Sequence, residues 1–227
     1  MSSNIRNRDV KTLGYVLRRT NYGESDRILN IITPGGKISA MAKGVRKEKS
    51  KLAGSIEMFT LTEYIIHFGK SDFGIVTGAR MQKYYSEIIK DLDKIELAAG
   101  IMKRINGVAE GSDNSDFFDI VDQCFKSMNT GGDMRMIEAW YLLNVRKIMG
   151  EEVNFYRDAK GEKLVQEKKY DWNMQEMAFD EGVNGEYDAD DIKVLRLIVS
   201  NSLAVAQRIK LREDMVLRAL RLARMVV

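Results

Sequence analysis

The chain is poor in the residues that build metal and thiol chemistry. It has one cysteine, Cys124, which excludes an intrachain disulfide and a cysteine-built zinc site. It has one histidine, His67, too few for a histidine-based catalytic or metal cluster. The apolar runs are all interrupted before ~18 residues, so no transmembrane helix is expected. The opening MSSNIRNRD lacks an apolar core, so no signal peptide is expected there and a cytoplasmic protein is. Neither a Walker nor a dinucleotide fingerprint is present, and Gly35-Gly36 is too short for a phosphate loop.

What the chain does have is enough apolar residue, 44% of 227, to fill real cores in one large domain or two small ones. Its net charge of +3 hides a segregation. Residues 1–82 carry 14 Lys/Arg and 7 Asp/Glu, residues 83–192 carry 14 and 24, and residues 193–227 carry 8 and 2. Two basic ends flank an acidic middle, a pattern that points to nucleic acid.

The basic N-terminal part is organised around Asn21 to Leu52. Asp26 to Thr33 (DRILNIIT) is β-branched and apolar, as a buried strand is. Pro34-Gly35-Gly36 signals a turn, and Lys37 to Ala42 alternates like a paired strand. Lys43, Arg46, Lys47, Lys49 and Lys51 then place five cations in nine residues with one acid, Glu48, among them. Strands are also expected at 10–20, 55–68 and 73–81, with glycines at the bends. Five short strands in about eighty residues predict a small closed barrel.

Helical spacing replaces alternation near Lys83. Leu92, Ile95, Ala99, Met102 and Ile105 define one helix. A second, capped by Asn114 or Ser115, carries Phe117, Ile120, Val121, Cys124, Phe125 and Met128 on one face. A third starts at the cap Asp133 and runs to Gly150. Residues 151–191 are acidic and irregular, with candidate strands at 163–166 and 177–180. Ile192 to Ile209 reads as one central apolar helix, and Glu213 to Met225 as an amphipathic one with Arg218, Arg221 and Arg224 on its polar face. The expected fold class is α+β: an N-terminal five-stranded OB-fold barrel over 1–82, then an all-helical domain over 83–227 with an irregular insert at 151–191.

An enzyme is not expected. Asp188, Asp190 and Asp191 cluster as metal-dependent nucleases require. Asp190 or Asp191 is more simply the N-cap of the helix at 192, and no further acid or histidine sits at an informative spacing. His67 stands on a strand, and Cys124 lies on an apolar helix face as a core residue does.

The wording of the barrel is more specific than its architecture. Gly23-Glu24-Ser25-Asp26-Arg27 follows a strand, Thr33 and a glycine turn precede Lys37, and Lys43-Gly44-Val45-Arg46 and Ser50-Lys51-Leu52 complete the set. In these motifs the chain resembles the bacterial recombination mediator family RecO, densely over 12–60 and as an element order through 225. The resemblance implies an OB fold and a helical domain. It implies binding of single- and double-stranded DNA, annealing of complementary strands and partnership with RecR. It further implies docking on the C-terminal tail of the single-stranded-DNA-binding protein SSB, and help in loading RecA. Many members carry a four-cysteine zinc module where residues 151–191 stand; that stretch has no cysteine here, so neither metal nor any other cofactor is expected.

By charge and location, Arg18, Arg19, Arg27, Lys43, Arg46, Lys47, Lys49 and Lys51 are the candidate phosphate contacts, and Tyr22 the best candidate for base stacking. Phe59 and Tyr64 are weaker stacking candidates, since strand aromatics usually pack inside. Arg218, Arg221 and Arg224 are candidates for the SSB tail or for DNA. Two other classes fit the charge pattern: an OB-fold RNA-binding or ribosome-associated protein, and a scaffold whose acidic 83–192 segment binds a basic partner.

Overall fold

A computed structural model describes residues 8–109 and 115–227. It divides into two compact units, Met1–Asn129 and Thr130–Val227.

The first unit holds a closed barrel. Its strands are β1 (Arg8–Tyr22), β2 (Asp26–Thr33), β3 (Gly36–Ala42), β4 (Thr60–Phe68) and β5 (Gly74–Tyr84). They close in the order β1-β2-β3-β5-β4, with β3 and β5 parallel. Closure removes the free edges that a five-stranded open sheet would expose. β1 can serve two neighbours because it is long. Arg8 to Gly14 pair with β4, and Tyr15 to Tyr22 pair with β2 across a bulge at Val16–Arg18. The bulge bends the strand around the barrel corner. At the switch stands Gly14, where a Cβ would lie 2.4 Å from the Ile31 methyl Cγ2; only glycine permits that approach. Leu29, Ile31, Ala40, Tyr64, Ile66 and Val76 fill the interior.

Strand four starts at Thr60 rather than at 55. Ala53–Ser55 closes a 3-10 turn instead, and Phe59 sits at φ 59°, a left-handed conformation that no extended run accommodates.

Three helices follow within the same unit, α1 (Ser86–Ile89), α2 (Leu92–Val108) and α3 (Asp116–Asn129); α2 and α3 pack on the barrel, and α1 packs on α2 and α3. Asp91 caps α2 by accepting from the Asp93 and Lys94 amides. The far end of α2 is pinned to the sheet, since Asn30 and Lys37 both donate to Asn106, at 2.9 and 2.6 Å. The Ser115 carbonyl accepts the first amides of α3, while Asn114 lies outside the described residues. Tyr15 of β1 packs on Phe118 and Phe125 of α3, and its hydroxyl donates to Asp122 at 2.8 Å. The boundary of compactness therefore falls at residue 129, well past the change of periodicity near Lys83.

The second unit is built on α4 (Met134–Ile148), α5 (Ala189–Ser200), α6 (Leu203–Ala206) and α7 (Glu213–Met225), with α4 against α7 and α5. Asp133 caps α4. The expected single helix over 192–209 is two helices. Asn201 and Ser202 are extended between them. The Asn201 side chain donates to the Leu197 carbonyl and its own carbonyl accepts the Trp140 indole, so local and tertiary bonds replace the helical ones.

The insert keeps a hairpin, β6 (Tyr170–Asn173) and β7 (Ala178–Glu181). The expected strand at 163–166 is not one: Lys163 makes a lone bridge to Arg157, and the chain turns at Gln166. The expected 177–180 strand begins one residue later, because Met177 at φ 49° belongs to the turn. Phe179 is fully buried and meets Tyr170, Trp172, Tyr187 and Phe155 at centroid distances of 6.2, 5.2, 5.4 and 6.2 Å. Rings therefore occupy the hairpin interior. The donor set that zinc needs is absent from this stretch, so the metal does not fit it. Among the described residues no three His, Cys, Asp or Glu side chains group as metal ligands. No described helix is long and apolar enough to cross a membrane.

Candidate nucleic-acid interface

Strand directions gather the cations. β1 and β3 end where β2 and β4 begin, so the β1–β2 turn and the 43–59 connection lie at one end of the barrel. The connection is tied down at its start. Gly44, at φ +63°, turns the chain and donates its amide to the Asp26 carboxylate at 2.7 Å. Val45 is buried in the barrel core. The Arg46 amide donates to the Ser25 carbonyl at 2.9 Å, and its guanidinium to the Gly23 carbonyl at 3.2 Å. The turn continues with the Lys47 amide on Gly44 and the Ser50 amide on Lys47.

This anchoring leaves Lys43, Arg46, Lys47, Lys49 and Lys51 exposed, and among the described residues none forms an ion pair. Cations held on an anchored loop without an ion-pair partner are available to an anion. Arg18 is likewise exposed and forms no ion pair among the described residues. Arg27 is partly buried and donates to the Asn21 side chain at 3.2 Å, and Arg19 pairs with Glu57 at 2.7 Å. Tyr22 is 54% exposed at the tip of the β1–β2 ribbon, opposite Asp26. The structure thus brings Tyr22, Arg27 and the five loop cations to one barrel end, leaves Arg19 neutralised beside them, and sets Arg18 farther along the β1–β2 ladder, opposite Asn30.

The other two aromatics are not exposed rings. Tyr64 is fully buried in the barrel core, and burial pushes its phenol well above the ordinary range. Phe59 is half-buried with its ring 5.9 Å from Phe125.

One group escaped sequence reasoning. The last five residues of β5, Arg80-Met81-Gln82-Lys83-Tyr84, are all exposed. Arg80 and Lys83 form no ion pair among the described residues. Two cations and two large apolar residues within five positions, just before the helical region, were the available signal.

The C-terminal arginines are engaged. Arg218 donates twice to Asp191, at 2.9 and 2.7 Å, and reaches Asp214 at 3.1 Å. The Asp191 carboxylate thereby holds the Arg218 guanidinium above its ordinary range. Arg221 meets Glu186 at 2.5 Å, and Arg224 grips Glu138 at 2.7 and 2.6 Å. The stripe that looked free in the sequence is a row of ion pairs.

The acidic cluster also has structural partners. The N-cap of α5 is Asp188, not Asp190 or Asp191, and Asp191 returns the bond as the third residue of a capping box. The Asp191 amide holds the Asp188 carboxyl below the usual carboxylate range. Asp190 pairs with Lys193. His67 contacts Asp9 at 2.8 Å on the barrel surface, and Cys124 is fully buried in α3, where burial pushes its thiol up.

The class that this fold defines is an OB barrel joined to a helical unit. The family follows from comparison. The model described as "Recombination protein O N terminal" matches residues 7–85, and that described as "Recombination protein O C terminal" matches 90–227. The chain belongs to the RecO family.

Among its relatives are proteins named "DNA repair protein RecO". The one from Roseiflexus sp. (strain RS-1) is 30% identical over 158 residues, which is 68% of this chain and 55% of the relative. The one from Rubrobacter xylanophilus is 28% identical over 142 residues, 62% of this chain and 57% of the relative. The one from Dehalococcoides mccartyi is 40% identical over 91 residues, 40% of this chain and 36% of the relative. The chain spans little more than half the length of the curated relatives it matches.

Proposed function

We propose that this chain is a recombination mediator in DNA repair. It binds single- and double-stranded DNA, anneals complementary strands, and helps load RecA on DNA coated with SSB. Residues 1–82 form the DNA-binding module and 83–227 the helical domain that carries partner contacts, with RecR and the SSB tail as the partners. The work is binding and alignment, with no bond made or broken by the chain. The observation that carries this reading is the set of five exposed cations, none in an ion pair among the described residues, on a tied loop beside the Tyr22 turn. Family membership and the names of the relatives support it. On α7, an acidic tail would have to displace Glu186 or Glu138 to reach Arg221 or Arg224, an exchange of ion pairs rather than the filling of a free site.

A salt titration of binding to single-stranded DNA and to RNA of equal length tests the reading. The expected result is tighter binding to DNA, with log affinity falling linearly in log salt by roughly 0.7 per phosphate contact. Preference for RNA would instead favour a ribosome-associated role. Binding that is weak and indifferent to salt would favour the scaffold.

A further inference from the structure

We propose that the exposed end of β5 forms a pocket that takes one unstacked base of a bound single strand. This inference rests on the DNA-binding reading above and gives that interface a second, uncharged element.

The pocket has a volume of about 370 Å³, within the range of small-ligand sites. Met58, Phe59, Met81, Tyr84 and Ile89 line it, with the Arg19–Glu57 ion pair on one wall. Tyr84 and Met81 are 44% and 40% exposed, so the lining faces solvent. Large apolar side chains left open in this way mark a binding surface.

Two backbone irregularities build it. A strand of period two would send Met81 and Tyr84 to opposite faces. Here β5 pairs Met81 with Thr62 and Lys83 with Leu61, and the register shift leaves Gln82 without a partner. That bulge turns Met81 and Tyr84 into the same cavity. Across the pocket, Phe59 is held at φ 59°, a conformation costly for a residue with a Cβ. The Phe59 carbonyl accepts the Tyr85 amide at 3.1 Å, and its ring rests on Phe125, which fixes the strained residue as a wall. Strained backbone of this kind is retained where the surroundings hold it in place for a purpose.

Location selects the occupant. The pocket opens where β4 begins and β5 ends, the barrel end that also carries the basic loop. Lys51 stands seven residues before Met58 in the chain. Arg80, which forms no ion pair among the described residues, precedes Met81 in β5. An aromatic ring beside free cations is the arrangement by which OB proteins hold a strand, the ring stacking on a base and the cations meeting phosphate. A chain whose phosphates lie on the loop presents its bases to this cavity.

The test compares an oligothymidylate with an abasic oligonucleotide of the same length, at one fixed salt and across a salt series. Tyr84→Ala should weaken oligothymidylate binding by about 5- to 150-fold, the worth of one stacked base. It should leave abasic binding and both salt slopes unchanged, and Tyr84→Phe should bind as the wild type does. Tyr84 is exposed, so the variant keeps its fold, which circular dichroism verifies. Equal losses on the two oligonucleotides would overturn the base pocket. So would no loss on either, which would assign this face to a protein partner. Wild-type protein that binds neither oligonucleotide would sink the DNA-binding reading itself, an outcome distinct from wild-type binding that Tyr84→Ala leaves untouched.

Discussion

Changing Lys43, Arg46, Lys47, Lys49 and Lys51 together to Ala weakens binding to single-stranded DNA by about 100-fold at 0.1 M salt. The figure follows from counterion release. Each phosphate contact to a single strand contributes roughly 0.7 to the slope of log affinity against log salt. Three contacts among the five cations make the variant's slope shallower by about two units, which is about two decades in affinity at 0.1 M. The loss is similar for all sequences, because phosphate contacts carry no base information. The fold survives, since all five side chains are exposed and none holds an ion pair among the described residues. Val45 and the Asp26–Gly44 bond still fix the loop. Filter binding or fluorescence anisotropy over a salt series reads both quantities. Unchanged affinity and slope in a folded variant would make the loop a bystander.

Phe179→Ala unfolds the hairpin of the second unit and destabilises that unit by ~3–5 kcal/mol. Phe179 is the common neighbour of Phe155, Tyr170, Trp172 and Tyr187, all within 6.2 Å of its centroid. Removing it leaves a ring-sized void and loses four aromatic contacts, three of them edge-on. For a unit of this size the loss corresponds to a fall of roughly 15–30 °C in Tm. Chelation of metal, by contrast, leaves Tm where it is, because rings rather than thiolates hold this hairpin. Thermal unfolding followed by circular dichroism decides the matter. A Tm that collapses in chelator and ignores Phe179→Ala would reverse the assignment.

The barrel was legible in the sequence because its signals are local. DRILNIIT and Pro34-Gly35 state a strand and a turn within ten residues, and β2 runs over Asp26–Thr33 as expected. The amphipathic spacing of 213–225 likewise gave α7 its bounds. What stayed hidden depends on contacts between residues far apart in sequence. The break after Ser200 needs the Trp140 indole, 61 residues away, to take the Asn201 carbonyl. Apart from Asp214, one turn before Arg218, the partners of Arg218, Arg221 and Arg224 stand 27, 35 and 86 residues away, so the stripe looked free. The basic loop was legible as charge, but its anchoring comes from Asp26 and Ser25 across the hairpin. The pocket beside Tyr84 depends on a one-residue bulge, and alternation alone would have placed Met81 and Tyr84 apart.

The role proposed for the cationic end of the barrel is to align DNA strands. It is tested most directly by the rate at which two complementary oligonucleotides, each coated with SSB, anneal when the protein is added. Wild-type protein should accelerate annealing severalfold or more, and the variant with five alanines in the loop should lose most of that acceleration along with its DNA affinity. Wild-type protein that binds the strands tightly yet leaves the annealing rate at its uncatalysed value would contradict the account.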